Sequence, residues 1–398
     1  MSEDYDVVVV GGGPGGCRVA EGTAGRGYRT LILEEHPAVG LPVRCAGLVS
    51  PRTAREVALP SRAILAEMRG AVIIGPDIEF SFESRDVRGL VIDRKSFDQW
   101  CCGRALRAGA EIRLRTRATD VRDGEVVIED GTIQASVVVG ADGPPSIVRR
   151  RAGLRGPRYV FASMQQDMPG WDGPEDMVAI IADQEIAPGF FAWGIPHGDG
   201  ARVGTAVAPG TMPAGKSLER AIERFRSAGL LTSKAATGIT GGGIPIGPLR
   251  TVSIGSTLVV GDAAGQVKPL SGGGLFPSIS AADIAAAAID GYLTGDSPLR
   301  EYDRNWRRRF GGELSFGLKA REAYMRMSNA HISRILQIFA RDEVRTVIST
   351  HGDIDHPSIL SGPLVKTAPD IVGEVARTIL GDALSTLMRR LGMARNTA

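Results

Sequence analysis

The chain has 398 residues, 43% of them hydrophobic and 23% charged, enough to bury a large core divided between two or three domains. Its 47 basic and 45 acidic residues leave a formal net charge of +2, too small to point to a nucleic-acid partner. Four cysteines, two of them adjacent at Cys101 and Cys102, match neither a disulfide framework nor a zinc or iron-sulfur ligand set, so the sequence predicts no bound metal and a reducing, cytoplasmic setting.

The N-terminus, Ser2-Glu3-Asp4-Tyr5-Asp6, is acidic where a secretory signal would be basic, and no apolar run approaches the roughly 18 residues of a membrane span. Residues 7–10 are an unbroken valine run, predicting a buried strand. Gly11-Gly12-Gly13-Pro14-Gly15-Gly16 follows, and a helix is expected to start there. This is a G-x-G-x-x-G loop, in which Gly11 makes the turn, Gly13 admits a pyrophosphate and Gly16 lets helix pack on strand, with Pro14 and Gly15 opening the helix. A helix N-terminus presents unpaired N–H groups and the positive end of its dipole to phosphate. A second apolar strand, residues 30–33, ends at Glu34 and Glu35, about where a carboxylate meets ribose hydroxyls in such units.

A Pro- and Gly-rich loop over residues 36–51 contains Arg44-Cys45-Ala46-Gly47. Alternation over residues 71–83 predicts strands of a second, antiparallel sheet. Arg94 opens a helix carrying Phe97, Trp100, Cys101 and Leu106, after which come a strand at 111–114, a hairpin over 119–131 and a short buried strand at 137–139, left through Asp142-Gly143. From about 158 to 243 the composition turns to aromatic, Pro-punctuated strands with one helix at 217–228. Residues 243–247 mark an expected return to the nucleotide fold, followed by a buried strand at 257–260, Gly261-Asp262, and a glycine loop, Gly272-Gly273-Gly274, opening an Ala-rich helix at Leu275.

These stretches together predict which dinucleotide is bound. Asp142-Gly143 and Gly261-Asp262 each follow a buried strand, so both acids emerge at the carboxyl edge of the sheet, where doubly wound folds bind ligands. A nicotinamide does not need them, whereas FAD has a ribityl chain and a pyrophosphate to satisfy. The helix after Gly274 would aim its N-terminus at the pyrimidine end of the isoalloxazine and stabilise the reduced, negatively charged form. Taken singly, either Asp reads as a turn or N-cap residue.

With these motifs in this order, residues 5 to 330 resemble FAD-dependent oxidoreductases of the p-hydroxybenzoate hydroxylase fold, and within them the geranylgeranyl reductase family. Gly189-Phe190-Phe191-Ala192-Trp193-Gly194-Ile195-Pro196 resembles that family's signature along the isoprenoid cavity, with Phe191 for the usual Tyr and Ile195 for the usual Phe. Arg44-Cys45-Ala46-Gly47 resembles its Cys loop beside the flavin, with Ala46 for the usual Gly. The resemblance implies an α/β chain with a Rossmann-type FAD-binding domain (residues 1–65, 92–157 and 244–330). An antiparallel substrate domain (66–91 and 158–243) and a helical C-terminal region (331–398) complete it. It implies an FAD-dependent reductase of isoprenoid double bonds, most suitably those of digeranylgeranylglycerophospholipids in archaeal membrane lipids. The alternatives are a chlorophyll or menaquinone tail, or flavin monooxygenation.

The expected substrate wall is Phe190, Phe191, Trp193, Ile195 and Pro196, and the expected catalytic residues are Cys45, Trp193 and Phe191. An isolated alkene has no carbonyl to take up charge, so protonation to a tertiary cation should precede hydride transfer, with Cys45 placing the proton and the Trp193 and Phe191 faces holding the cation. With its one dinucleotide loop assigned to FAD, the chain gives no motif for the external reductant, whether NAD(P)H, ferredoxin or a deazaflavin. The segment from His351 to His356 lacks a third ligand cluster for a metal. Arg149-Arg150-Arg151 and Arg307-Arg308-Arg309 read as solvated faces. From Ile371 onward an apolar stripe with nearby arginines predicts a helix that either docks on the protein's own core or lies at the inner face of the cell membrane.

Overall fold

Val7, Val8 and Val9 are fully buried on both faces of the strand Glu3–Val10, as befits the middle of a parallel sheet covered by helices. The structure, a computed structural model, describes residues 3–122, 124–371 and 373, so the predicted stripe beyond Ile371 lies outside the described residues. The first sheet runs in the order Ser253–Ile254, Thr257–Val259, Gly131–Gly140, Glu3–Val10, Thr30–Leu33, Glu111–Arg113, with Asp120–Arg122 and Glu125–Ile128 attached as a hairpin. The strand expected at 137–139 is longer. Gly131–Gly140 is a single strand that pairs antiparallel with Glu125–Ile128 at its start and parallel with Thr257–Val259 at its end.

A second sheet, of seven strands, runs Gly238–Ile246, Tyr159–Pro169, Gly200–Val207, Ala192–His197, Met177–Ile181, Gly70–Ile74, Glu79–Glu83. It is antiparallel except where Met177–Ile181 meets Gly70–Ile74 in parallel. Those two strands come from separate excursions of the chain, so no hairpin fixes their relative direction. The return to the nucleotide fold comes later than residue 244. Gly238–Ile246 pairs along nine residues with Tyr159–Pro169, and Ile246 is buried in the second core, so the first sheet resumes only at Ser253. The expected boundaries at 66 and 91 likewise fall inside strands, because Ile64–Met68 and Gly89–Ile92 form a small third sheet with Leu48–Val49.

Two apolar layers sandwich the second sheet. Alternation sends Ala192, Ala179 and Val203 to one face, where Leu218, Ala221 and Phe225 of helix Ala214–Ser227 cover them. Trp193, Ile195 and Val178 face the other way, with Phe161 and Phe190. Helix Glu301–Arg326, 26 residues and so about 39 Å long, crosses between cores. Tyr302, Trp306 and Phe310 belong to the first and Leu318 and Met325 to the second. Shorter helices follow to Ser361–Thr367.

Candidate flavin and substrate site

Helix Pro14–Ala24 has Gly13 as its N-cap, no side-chain cap and no acid in its first turn, so its N-terminal N–H groups have no side-chain acceptor. Helix Leu275–Leu293 begins the same way, at Gly274. The two lie side by side through very small residues: a Cβ on Gly22 would stand 2.6 Å from Ala286 Cβ, and one on Gly15 would collide with Ser278. Both positive ends therefore open onto one cavity of about 1170 Å³. That exceeds the usual 300–1,000 Å³ of a site for one drug-sized ligand, leaving room for a cofactor and a second molecule.

Gly13, Pro14, Gly15 and Gly16 line the cavity, with Gly261, Asp262 and the run from Gly272 to Leu275 at the second helix. Gly16 is required by the protein itself, since a Cβ there would strike the Gly11 carbonyl and come within 2.9 Å of Ala141 Cβ. Gly13 is not: a Cβ on it would meet no protein atom within 4 Å. The sequence keeps a bare backbone facing open space beside uncapped N–H groups, which is what a pyrophosphate needs. Asp262 faces the same space, its carboxylate against Gly274, and burial lifts its pKa to about 6 although Arg94 pulls it down. An acid in that state suits a hydroxyl donor such as a ribityl chain.

Some predicted cofactor residues stand back from the wall. Glu34 accepts from Gly12 N (2.9 Å) and from His36 N and Nδ1 (2.9 and 2.6 Å), which fixes the loop that follows Gly11. Glu35 pairs with Arg117 at 3.5 Å on the surface. Asp142 accepts from Ser146 Oγ and from the N–H groups of Ile147 and Val148, capping helix Ile147–Arg151, while its neighbour Gly143 lines the cavity. Here the cap reading holds. Pro196 points away from Trp193 and Ile195 by the alternation of the strand.

Arg44, Cys45, Ala46 and Gly47 form part of the wall. Gly47 N donates to Cys45 Sγ at 3.3 Å, and Arg94 is bound bidentately to Asp98 at 2.9 and 3.0 Å. Burial alone would lower the Arg94 pKa, but Asp98 and then Cys45 more than offset it and keep the guanidinium charged. Across the cavity, Phe190 and Phe191 lie in the turn before strand Ala192–His197 rather than on it, stacked with centroids 4.4 Å apart. Phe191 meets Trp193 edge-on at 6.1 Å. The Trp193 indole lies over Gly204, where a Cβ would stand 2.6 Å from Nε1, and that Nε1 has no hydrogen-bond partner.

Sequence reading missed several residues that hold this wall together. Arg321, 2% exposed and faced by no carboxylate, donates to the carbonyls of Gly189 (2.8 Å), Pro269 (3.0 Å) and Leu270 (2.5 Å), with its guanidinium carbon 4.2 Å from the Phe190 ring centre. Burial lowers its pKa to about 10, so it stays cationic at neutral pH. Arg149 is not a solvated residue: it is buried and donates to Ala263 O and Pro144 O at 2.9 Å each, joining the loops that follow Asp262 and Asp142. Gln165 and Arg202 fasten the Cys45 loop through its carbonyls. Lys268 lines the cavity and pairs at 2.5 Å with buried Asp355, which also accepts from Ser50 and Thr53, so the loop at 351–356 serves as a brace. Arg149 within Arg149-Arg150-Arg151 and Arg321 beside Lys319 and Glu322 carry no local signal that sets them apart from surface charge.

Residues 6–346 match the family model described as lycopene cyclase protein. Digeranylgeranylglycerophospholipid reductase 2 of Methanopyrus kandleri is 33% identical over 370 residues, covering 87% of this chain and 93% of that one. The chain belongs to the geranylgeranyl reductase family. Among solved structures, a geranylgeranyl bacteriochlorophyll reductase-like protein from Thermoplasma acidophilum superposes with a TM-score of 0.82 at 24% identity, covering 95% of this chain and 100% of that one. A myxobacterial chondrochloren halogenase, described as FAD-dependent, gives 0.63 at 22% identity with 90% and 93% covered. At these identities the structural likeness concerns the fold, which is that of flavin-dependent oxidoreductases.

Two outcomes follow. Gly13→Ala should leave the unfolding midpoint of flavin-free protein nearly unchanged yet strip the flavin during purification, whereas Gly16→Ala should destabilise the chain by about 2 kcal/mol or more; visible absorbance and denaturant titration separate them. Asp262 has a raised folded-state pKa, so its contribution favours the flavin-free fold at low pH and is lost as pH rises from the ordinary carboxylate range through about 6. The stability of Asp262→Asn relative to wild type should therefore climb over that window, by on the order of 2–3 kcal/mol, and a flat difference would show that Asp262 is not desolvated.

Proposed function

We propose that the chain is an FAD-dependent reductase that saturates isoprenoid C=C bonds, those of digeranylgeranylglycerophospholipids in archaeal membrane-lipid synthesis. The observation that carries this reading is one continuous cavity. At one end it is bounded by Gly13, Asp262 and two uncapped helix ends, and it continues along the apolar wall of Phe191, Trp193 and Ile195. The family membership and the names of the relatives support the substrate class. Monooxygenation is the secondary reading, since the fold is shared with enzymes of that kind.

FAD would be held by the N–H groups after Gly13, by Asp262 and by the N-terminus of helix Leu275–Leu293, and when reduced it supplies hydride. The protein's own part is to receive an alkene that has no electron-withdrawing neighbour. Phe191 and Trp193 exclude water and offer ring faces worth roughly 1–2 kcal/mol to a developing cation. The Phe190 ring already faces the Arg321 guanidinium at 4.2 Å, so it serves as support rather than as a cation site. Cys45, whose sulfur accepts from Gly47 N–H, is the thiol on the wall able to carry a proton toward the alkene. The reductant is external: NAD(P)H, ferredoxin or a deazaflavin. Among the described residues no helix is long and apolar enough to cross a membrane, and peripheral contact through the segment after Ile371 belongs to this proposal.

The test is anaerobic single turnover with a polyprenyl lipid. The product should gain two hydrogens per bond as the flavin is reoxidised, and product formed in a parallel reaction in air should contain no added oxygen. Trp193→Phe and Cys45→Ser should each slow that reoxidation by about tenfold or more while flavin content stays at the wild-type level. Unchanged rates in both variants would move the alkene elsewhere.

A further inference from the structure

Beyond Trp193 the cavity crosses the second sheet strand by strand. Its wall passes from Trp193 and Ile195 to Val178 and Ile180, then to Ile73, then to Phe82 on the edge strand. That is three strand steps, about 14 Å at the usual spacing, lined by aliphatic and aromatic groups. The lining then changes character. Arg69, Ser84 and Arg88 border the cavity beyond Phe82.

The backbone brings these three residues together. Arg88 N donates to Met68 O and Ser84 N to Arg69 O, both at 2.8 Å, so the two arginines flank one turn. Arg69 Nη1 donates to Arg85 O at 2.5 Å, and Arg88 Nε to Ser84 Oγ at 2.9 Å. Arg88 Nη2 also reaches the carbonyls of Ser349 and Thr350 at the end of helix Asp342–His351. Each guanidinium offers five N–H groups. The Nε of Arg69 and the Nη1 of Arg88 have no hydrogen-bond partner among the described residues. Their carboxylate neighbours, Glu67 and Asp86, stand at 3.6 and 3.8 Å with side chains 56% and 84% exposed, a loose pairing that a better anion would displace.

We infer that Arg69 and Arg88, with Ser84, form an anionic-headgroup clamp at the far end of the apolar slot. It recognises a phosphate carried on a prenyl chain whose double bonds extend toward Trp193. Guanidinium forks match phosphate oxygens, and an amphiphile with one charged head and an apolar tail satisfies both ends of the cavity at once. The inference rests on the proposed function and adds to it a recognition site for the polar head. A phosphate group is the shared chemistry of a lipid head and free inorganic phosphate, and the experiment below distinguishes them.

The measurement is binding to the flavin-loaded full chain, read from the perturbation of flavin absorbance, with geranylgeranyl phosphate and geranylgeraniol as probes. Wild type should bind the phosphate at least tenfold more tightly, and salt should narrow the gap. Arg69→Gln should weaken the phosphate about tenfold and the alcohol less than twofold. Arg88→Lys, which keeps a cation for the helix end but loses the fork, should shrink the preference in the same sense. Equal wild-type affinity for the two probes would overturn the clamp and leave the proposed function standing. Binding of neither probe would overturn both. Inorganic phosphate competing as well as geranylgeranyl phosphate would assign the arginines to a free anion and overturn the lipid-head assignment.

Discussion

Everything at the site depends on how closely two helices approach. Gly15, Gly22 and Ala286 let helix Pro14–Ala24 lie against helix Leu275–Leu293, and Gly261 lets the turn carrying Asp262 close on Ser278. Larger residues would push the axes apart and separate the two positive ends. At this spacing the uncapped N–H groups of both helices face one volume, with the desolvated carboxyl of Asp262 against Gly274. No side chain in either first turn competes for those donors. The fold thereby concentrates partial positive charge on one side of the cavity, and it uses backbone to do so.

The second sheet turns this frame toward an apolar substrate. Its cavity face is covered only in part by its own side chains, and Trp193 lies flat over Gly204, which keeps the indole close to the sheet. Arg321 then joins the aromatic turn to the flavin-side loop, with three carbonyls and the face of Phe190 as its partners. A buried cation without a carboxylate is costly unless its donors are met, and here carbonyl dipoles meet them. Arg321 thereby ties the turn at Gly189 and Phe190 to residues 269–270.

Much of this was legible in the sequence, for reasons that can be named. The glycine loop, the valine strand and the Ala-rich helix are local patterns whose periodicity and backbone demands need no tertiary knowledge, and they fell where expected. The aromatic signature was legible as a unit, although Phe190 and Phe191 turned out to precede the strand. What stayed hidden was long-range. Asp142 looked identical to Asp262, each following a buried strand, yet three nearby donors in one short helix claimed the first and left the second facing the cavity. Arg149 looked like surface charge and Arg321 drew no reading, because only the packed fold puts carbonyls around them. The parallel pair of Met177–Ile181 with Gly70–Ile74 joins strands about a hundred residues apart, and no local pattern encodes such a register.

One fold serves oxidations, halogenation and reduction, so the difference must lie in what the second sheet presents to the flavin. In this chain the wall presents no hydroxyl where the resemblance gives a tyrosine, since Phe191 occupies that position, and the buried Trp193 Nε1 has no hydrogen-bond partner among the described residues. That wall offers ring faces and aliphatic groups, while elsewhere in the lining Arg94 is held bidentately by Asp98. Cys45 lines the same cavity, on a loop that Gln165 and Arg202 hold through the carbonyls of Cys45 and Ala46.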